Sequence, residues 1–415
     1  MSNSETDWAV GKRQIADLAA IRASLDEDVQ RLFPSCREFV TSLDGEHVAG
    51  AVVKAEETFG VCVDGEVSEQ DYEKAWHLTY MPNGKLMGLV RLDDQWTVYL
   101  DGERWESEFD FAWNPLITAD GETIAVQTKV GMEYSVAVND KPWEQGFQSC
   151  RGYIVSPDGQ RAAAVVQVEE VPEADIWKFM EGSWGLAVDG EPWEGRYINV
   201  YGPTFSDDGQ HVAAQVRLDI AEYSIAVDDA VWDGRYGAVW EPRYRRGNGH
   251  VVVPVRSGGA WTLVENDRPL WKGDYVQLWH ATLAPQGERI AAVVAVAYGR
   301  WTVAVDDQPW SETFSDAVVE PFFSPDGKRV AATVKDEERW GIAVDGRSWP
   351  HWFDMAWDPV FSPDGGNVAA RVELGGRYTY AVNGRPWGQE FQYVWDPVFS
   401  PDGERLLVRA VEDNK

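Results

Sequence analysis

The sequence predicts an all-β protein, a β-propeller of about nine or ten four-stranded blades carried behind an N-terminal helix. The first observation is a period. Glycines that close a tight turn, Gly45, Gly84, Gly121, Gly159, Gly209, Gly249, Gly287, Gly327, Gly365 and Gly403, are separated by 39, 37, 38, 50, 40, 38, 40, 38 and 38 residues. A four-stranded blade needs roughly 40 residues. The second is a pair of turn types that alternate within each repeat. The third is a set of tryptophans held in fixed slots. The runs between turns are short and lack the 3.6-residue apolar spacing of a helical repeat.

The unit is clearest over 323–349. Phe323 ends one strand signal. Ser324-Pro325-Asp326-Gly327 suits a type I turn, with Pro presetting φ and Gly relieving the exit. Val330 to Val334 is a small, β-branched strand, and Trp340 to Val344 is another. Asp345-Gly346 is a two-residue hairpin turn that needs positive φ. Trp349 then opens a fourth strand. Residues 1–37 read as a strand remnant and an amphipathic helix, and 38–415 as the repeats.

Nineteen of the 22 tryptophans fall in repeat slots. Trp105, Trp143, Trp193, Trp232, Trp271, Trp310, Trp349 and Trp387 follow the second turn. Trp96, Trp184, Trp261, Trp301 and Trp340 open the third strand, where Tyr134, Tyr223 and Tyr378 replace Trp in other repeats. Trp76, Trp113, Trp240, Trp279, Trp357 and Trp395 fall at the end of the fourth strand, usually before Pro. Large flat rings suit the wedge between neighbouring blades, where they bury much area. That explains recurrence better than an indole chain for electron hopping or sugar stacking.

The chain of 415 residues carries a net charge of −32, from 69 acids against 37 bases. Phosphate contacts need clustered Lys and Arg, so nucleic acid is disfavoured, as is an anionic membrane surface. A basic partner is compatible. Cys36, Cys62 and Cys150 form no CxxC, haem-attachment or iron–sulfur run, and so sparse a set suits a reducing compartment. No secretory leader and no transmembrane stretch is visible, so the expected location is cytoplasmic.

In chain order, Trp8-Ala9-Val10-Gly11 resembles Tyr380-Ala381-Val382-Asn383-Gly384 and reads as a third-strand remnant. Ile15, Leu18, Ile21, Leu25, Val29 and Leu32 mark a helix over 13–33, ended by Pro34, that packs on the rim or docks a partner. The first repeat, from Phe39, is atypical, with Glu66-Val67 where Trp is usual. The repeat at Gly159 carries an insertion with Trp177, Phe179 and Met180, which accounts for the 50-residue spacing. An apolar loop on a rigid scaffold is a candidate contact surface, or a flap folded onto its own ring. In the repeat at Gly249, Arg243-Tyr244-Arg245-Arg246 replaces the usual Phe-Ser-Pro-Asp. These arginines could receive an acidic segment or an anion, or pair with carboxylates of neighbouring blades. The last repeat, Phe399 to Val411, holds two strands and lacks two, so residues near 6–11 are expected to pair beside it and close the ring, since an open edge invites aggregation.

Little chemistry is legible. The six histidines are isolated, and no HExxH, GxSxG or phosphate loop occurs. No cofactor, metal or catalytic residue is expected. A propeller channel could still gather carboxylates from several blades.

The Phe-Ser-Pro-Asp-Gly units at 323–327, 361–365 and 399–403 resemble the WD40-like repeats of TolB-type propellers. More narrowly, the acidic, Trp-rich chain with Ala-Val-Asp-Gly-x-Pro-Trp units resembles the tryptophan-rich cytoplasmic subunit of the Tmc-type transmembrane redox complex of sulfate-reducing bacteria. That resemblance implies a cofactor-free accessory subunit, partnered by an iron–sulfur subunit, a membrane cytochrome b and a periplasmic multihaem cytochrome. Two function classes follow. One is a non-catalytic scaffold of a membrane-associated electron-transfer complex, on its cytoplasmic side. The other is a ligand-binding or hydrolytic propeller with a carboxylate-lined channel.

Overall fold

The computed structural model describes residue 8 and residues 11–23, 38–55, 57–170 and 176–413. The chain is a ten-bladed β-propeller with a short N-terminal helix. Nine blades are antiparallel sheets of four strand positions in sequence order, and the tenth holds two. Blade 8 is representative: Ala317–Phe323, Val330–Asp336, Arg339–Val344 and Arg347–Ser348. First strands of consecutive blades lie against each other, as at blades 1 and 2 or 7 and 8, and form the inner wall.

The two turns behave as their residues require. Ser324 Oγ donates to Asp326 (2.6 Å) and accepts the Arg329 N–H (3.0 Å), which locks the first turn. Asp345 (φ 52°) and Gly346 (φ 82°) both sit in the left-handed region of a hairpin turn. The Asp345 carboxylate caps the Val330 N–H at 2.9 Å.

Two strand assignments need correction. The fourth strand is Arg347–Ser348, before Trp349 and not after it. Trp76, Trp113 and Trp279 then belong to the first strand of the next blade (Lys74–Tyr80, Phe111–Ile117, Gln277–Leu283). That strand carries a bulge just past the Trp, with His77 (φ 55°), Asn114 (φ 48°) and His280 (φ 49°) left-handed. In blades 6, 9 and 10 the first strand splits in two around Pro242, Pro359 and Pro397, whereas in blades 3 and 8 it runs on through Pro115 and Pro321.

Blades are joined by their apolar faces and by side-chain staples. Val293, Val303 and Phe314 of blade 7 share one core with Val318, Val330 and Val334 of blade 8. Arg329 bonds Asp345 of its own blade (2.9 Å) and the carbonyls of Gly365 (3.1 Å) and Gly366 (3.0 Å) in the next. Arg161 and Arg289 repeat the pattern. Asp307 works in the other direction: it accepts the Lys272 N–H (2.8 Å) and the Tyr275 hydroxyl (3.0 Å) of the preceding blade.

The ring closes between blades 10 and 1. Val411 shares a core with Phe39, Val48 and Val52, and Arg409 donates to the Ser42 carbonyl at 3.0 Å. The helix is Leu18–Ala23, so it starts five residues later than expected, and 24–33 lie outside the described residues. Its Ile21 packs on Gly65, the second-turn glycine of blade 1. In blades 4, 8 and 9 the slot Trp of the preceding blade does this, as Trp310 does on Gly346. Blade 10 has no fourth strand to supply one. Blade 1 has no slot Trp of its own, and a Cβ at Gly102 of blade 2 would meet nothing within 4 Å. The Trp8 carbonyl accepts from Arg405 (2.5 Å), and Lys12 pairs with Glu412, so the N-terminal segment runs beside blade 10. Neither Trp8 nor Gly11 is in a strand, and the rest of the expected third-strand remnant, save Gly11, lies outside the described residues.

Candidate functional site

Three regions carry the residues that the sequence singles out, or that the fold brings together. The first is the insertion in blade 4. It forms a six-residue helix, Ile176–Glu181, with no buried residue. Ile176 is 66% exposed, Trp177 80% and Phe179 38%, whereas Met180 is half-buried. Lys178 and Arg196 anchor the segment through Glu169. Residues 171–175 lie outside the described residues.

The second is the arginine run in blade 6. Arg245 stands in the turn position that Ser324 holds in blade 8, since its N–H bonds the His250 carbonyl as Ser324 bonds Arg329. From there its guanidinium still makes the interblade staple, to Glu265 (2.7 Å) and to the carbonyls of Gly287 (2.7 Å) and Glu288 (3.1 Å). Tyr244 is buried. Arg246 is exposed and reaches the Pro285 carbonyl, and Arg243 pairs with Glu241 at 3.1 Å. The carboxylates that Arg243 and Arg245 pair with belong to their own blade, and Arg246 alone meets one of a neighbouring blade, Asp207 at 3.7 Å.

The third region was not named residue by residue from the sequence. The bulge places one residue per blade at the same level of the inner wall: Glu241, His280, Glu320, Asp358 and Asp396 in blades 6 to 10. The signal was the residue after the slot that Trp240, Trp279, Trp357 and Trp395 occupy and that Val319 fills in blade 8. Burial, then Asp396 and Glu320, push the Asp358 carboxyl up from its ordinary value. Beside this arc the third-slot indoles are not fully packed away. Trp240 is 43% exposed and stacks on Trp261 (5.7 Å between centroids, 12° between planes). Trp279 lies on Trp301 at 4.6 Å. A cavity of about 310 Å³ opens between blades 6 and 7, lined by Trp240, Glu241, Arg243, Pro254, Trp279 and His280.

Among the described residues, no group of three His, Cys, Asp or Glu is arranged to hold a metal ion. No helix among them is long and apolar enough to cross a membrane.

No family model matches the chain, and no curated protein matches it. Solved structures do. The chain is similar to a eukaryotic initiation factor at 12% identity, over 83% of this chain and 96% of that one, with a TM-score of 0.48. It is similar to the Dos1 propeller at 10% identity, over 74% and 89%, with a TM-score of 0.40. It is also similar to a prolyl endopeptidase at 12% identity, over 70% of this chain and 53% of that one, with a TM-score of 0.39.

Proposed function

We propose that this propeller is a non-catalytic scaffold that docks a protein partner through the helix Ile176–Glu181. One observation carries the reading: Ile176 and Trp177 stand out from a rigid ring with most of their surface in water. A large exposed indole with an aliphatic neighbour is what an interface anchor offers. Hydrogen-bonded turns and interblade staples give the helix a stiff base. The repeat type and Trp-rich, acidic composition resemble the Tmc-type subunit, which supplies the finer expectation. The partner is then an iron–sulfur subunit with a membrane cytochrome b beyond it, met on the cytoplasmic side, and the chain itself carries no cofactor.

The test is affinity purification of the tagged chain from its native cells, with and without the pair Ile176→Ser and Trp177→Ser. The expected result is stoichiometric recovery of an iron–sulfur subunit with the unaltered chain and its loss with the altered one. Equal recovery from both removes the helix from the interface.

A second reading, a ligand-binding or hydrolytic propeller, is favoured by the carboxylates of Glu320, Asp358 and Asp396 on the inner wall. Saturable binding of a small ligand, abolished by Asp358→Asn with partner recovery intact, would select it.

A further inference from the structure

The repeat contains its own precedent for what the cavity between blades 6 and 7 can hold. In blade 9 the fourth residue of the second strand (Val368–Leu374) is Arg371. Its carbonyl accepts the Trp357 N–H, and its guanidinium lies 4.3 Å from the centre of that indole. The same guanidinium reaches into blade 10, to the Val394 carbonyl (3.1 Å) and toward Asp396 (3.5 Å). A planar cation thus fills the wedge between an indole of one blade and the bulge residue of the next.

Blade 6 has the same backbone, but Pro254 stands where Arg371 does, and His280 of blade 7 stands where Asp396 does. The fourth residue of its second strand (Val251–Ser257) is Pro254, whose carbonyl accepts the Trp240 N–H at 2.9 Å. Proline is tolerated there because the first strand is broken between Ala238–Val239 and Arg243–Tyr244. Its ring stops short of the wedge. What remains is the 310 Å³ cavity, with Trp240 on one side and Trp279 and His280 on the other. Trp357 has Arg371 over its ring, and the third-strand aromatics Phe59, Tyr134, Trp184, Tyr223 and Trp340 likewise carry a Lys or Arg of the chain. Among the described residues, none lies over Trp240 or Trp279.

We propose that this cavity receives an arginine side chain of a partner protein, in the place that Arg371 takes in blade 9. Trp240 supplies the π face, and guanidinium binds such faces well because it is planar and weakly hydrated. Glu241 supplies the carboxylate. Its bond to Arg243 is an exposed ion pair, which costs little to exchange. The acidic arc of Glu320, Asp358 and Asp396 and the net charge of −32 draw the cation in. The size fits: a guanidinium on a short methylene stem needs a fraction of the volume, which leaves room for backbone at the mouth. The proposal is independent of the helix Ile176–Glu181, and either can fail alone.

The probe is N-acetylarginine amide, added to the full chain carrying fluorotryptophan, at physiological ionic strength. The 19F resonances of Trp240 and Trp279 are assigned by Trp→Phe variants. N-acetylcitrulline amide, equal in shape and uncharged, is the control. The expected result is saturable shifts of those two resonances by the arginine probe, with the citrulline probe at least tenfold weaker. Pro254→Arg places the chain's own guanidinium in the wedge and should abolish the shifts. Trp240→Leu removes the π face and should abolish the shift of Trp279, and it decides the matter if Pro254→Arg does not fold. Equal shifts from both probes, shifts that survive in either variant, or no shift at all would overturn the proposal.

Discussion

Gly346 of blade 8 lies against the indole of Trp310 in blade 7, so close that a Cβ there would meet its Cγ at 3.2 Å and Cδ1 at 3.3 Å. The same contact joins Gly190 to Trp143 and Gly384 to Trp349. Slot tryptophan and turn glycine are two halves of one interblade joint. Gly346→Ala adds a methyl at φ 82° and should cost about 1–2 kcal/mol, chiefly from the left-handed backbone. Trp310→Ala empties the joint and should cost about 3–5 kcal/mol. Denaturant unfolding of each variant measures this, with recovery of the docked partner unchanged in the folded fraction.

The arginines of blade 6 should separate sharply. The Arg245 side chain is 14% exposed and holds one carboxylate and two carbonyls, so Arg245→Ala should destabilise by about 2–3 kcal/mol. The Arg246 side chain is 62% exposed, and Arg246→Ala should cost about 0.5 kcal/mol or less. Thermal melts of the two variants side by side provide the comparison.

Asp358 gives a pH signature of the inner wall. Its folded-state carboxyl is raised by burial and by Asp396 and Glu320, so the folded protein holds the proton more tightly than the unfolded chain. Such a group lowers stability as pH rises through the carboxylate range. Asp358→Asn should therefore raise the melting temperature at neutral pH. The gain should vanish at pH values below the ordinary aspartate range. A gain that persists at low pH would point to packing instead of charge.

Cys150 should be inert in the folded protein. Burial pushes its thiol up to about 12, and the reactive species is the thiolate. Mass spectrometry after treatment with a thiol reagent should find the peptide bearing Cys150 unlabelled until the protein is unfolded.

Much of the fold is legible from 323–349 alone. Ser324, Asp326, Asp345 and Gly346 each fix a turn through local hydrogen bonds or positive φ, and local rules are what a sequence displays. The broken first strand was not legible. A fourth strand of two residues, such as Arg347–Ser348, leaves no alternation to read, so Trp357-Asp358-Pro359 looked like its end. Arg245 was ambiguous for a different reason. It reaches its staple from the position where a Ser is usual, and only the register shows that. Trp177 and Phe179 stood out because an insertion breaks a period. The meeting of Asp358 with Asp396 and Glu320 depends on the packing of blades whose residues are far apart in sequence, and no spacing within one repeat reveals it.

The joint between blades 10 and 1 differs from the others in one respect that has a thermodynamic consequence. Arg329 and Gly365 are 36 residues apart in sequence, whereas Arg409 and Ser42 are 367 apart. Closing a loop costs about 0.6 kcal/mol more for each doubling of its length, so a tenfold longer span adds about 2 kcal/mol. Every other joint is made between neighbours along the chain, and this one alone must wait for the whole circle. It is the clasp of the ring: the last contact to form in folding, and the first place where backbone amides should exchange with solvent when the circle opens.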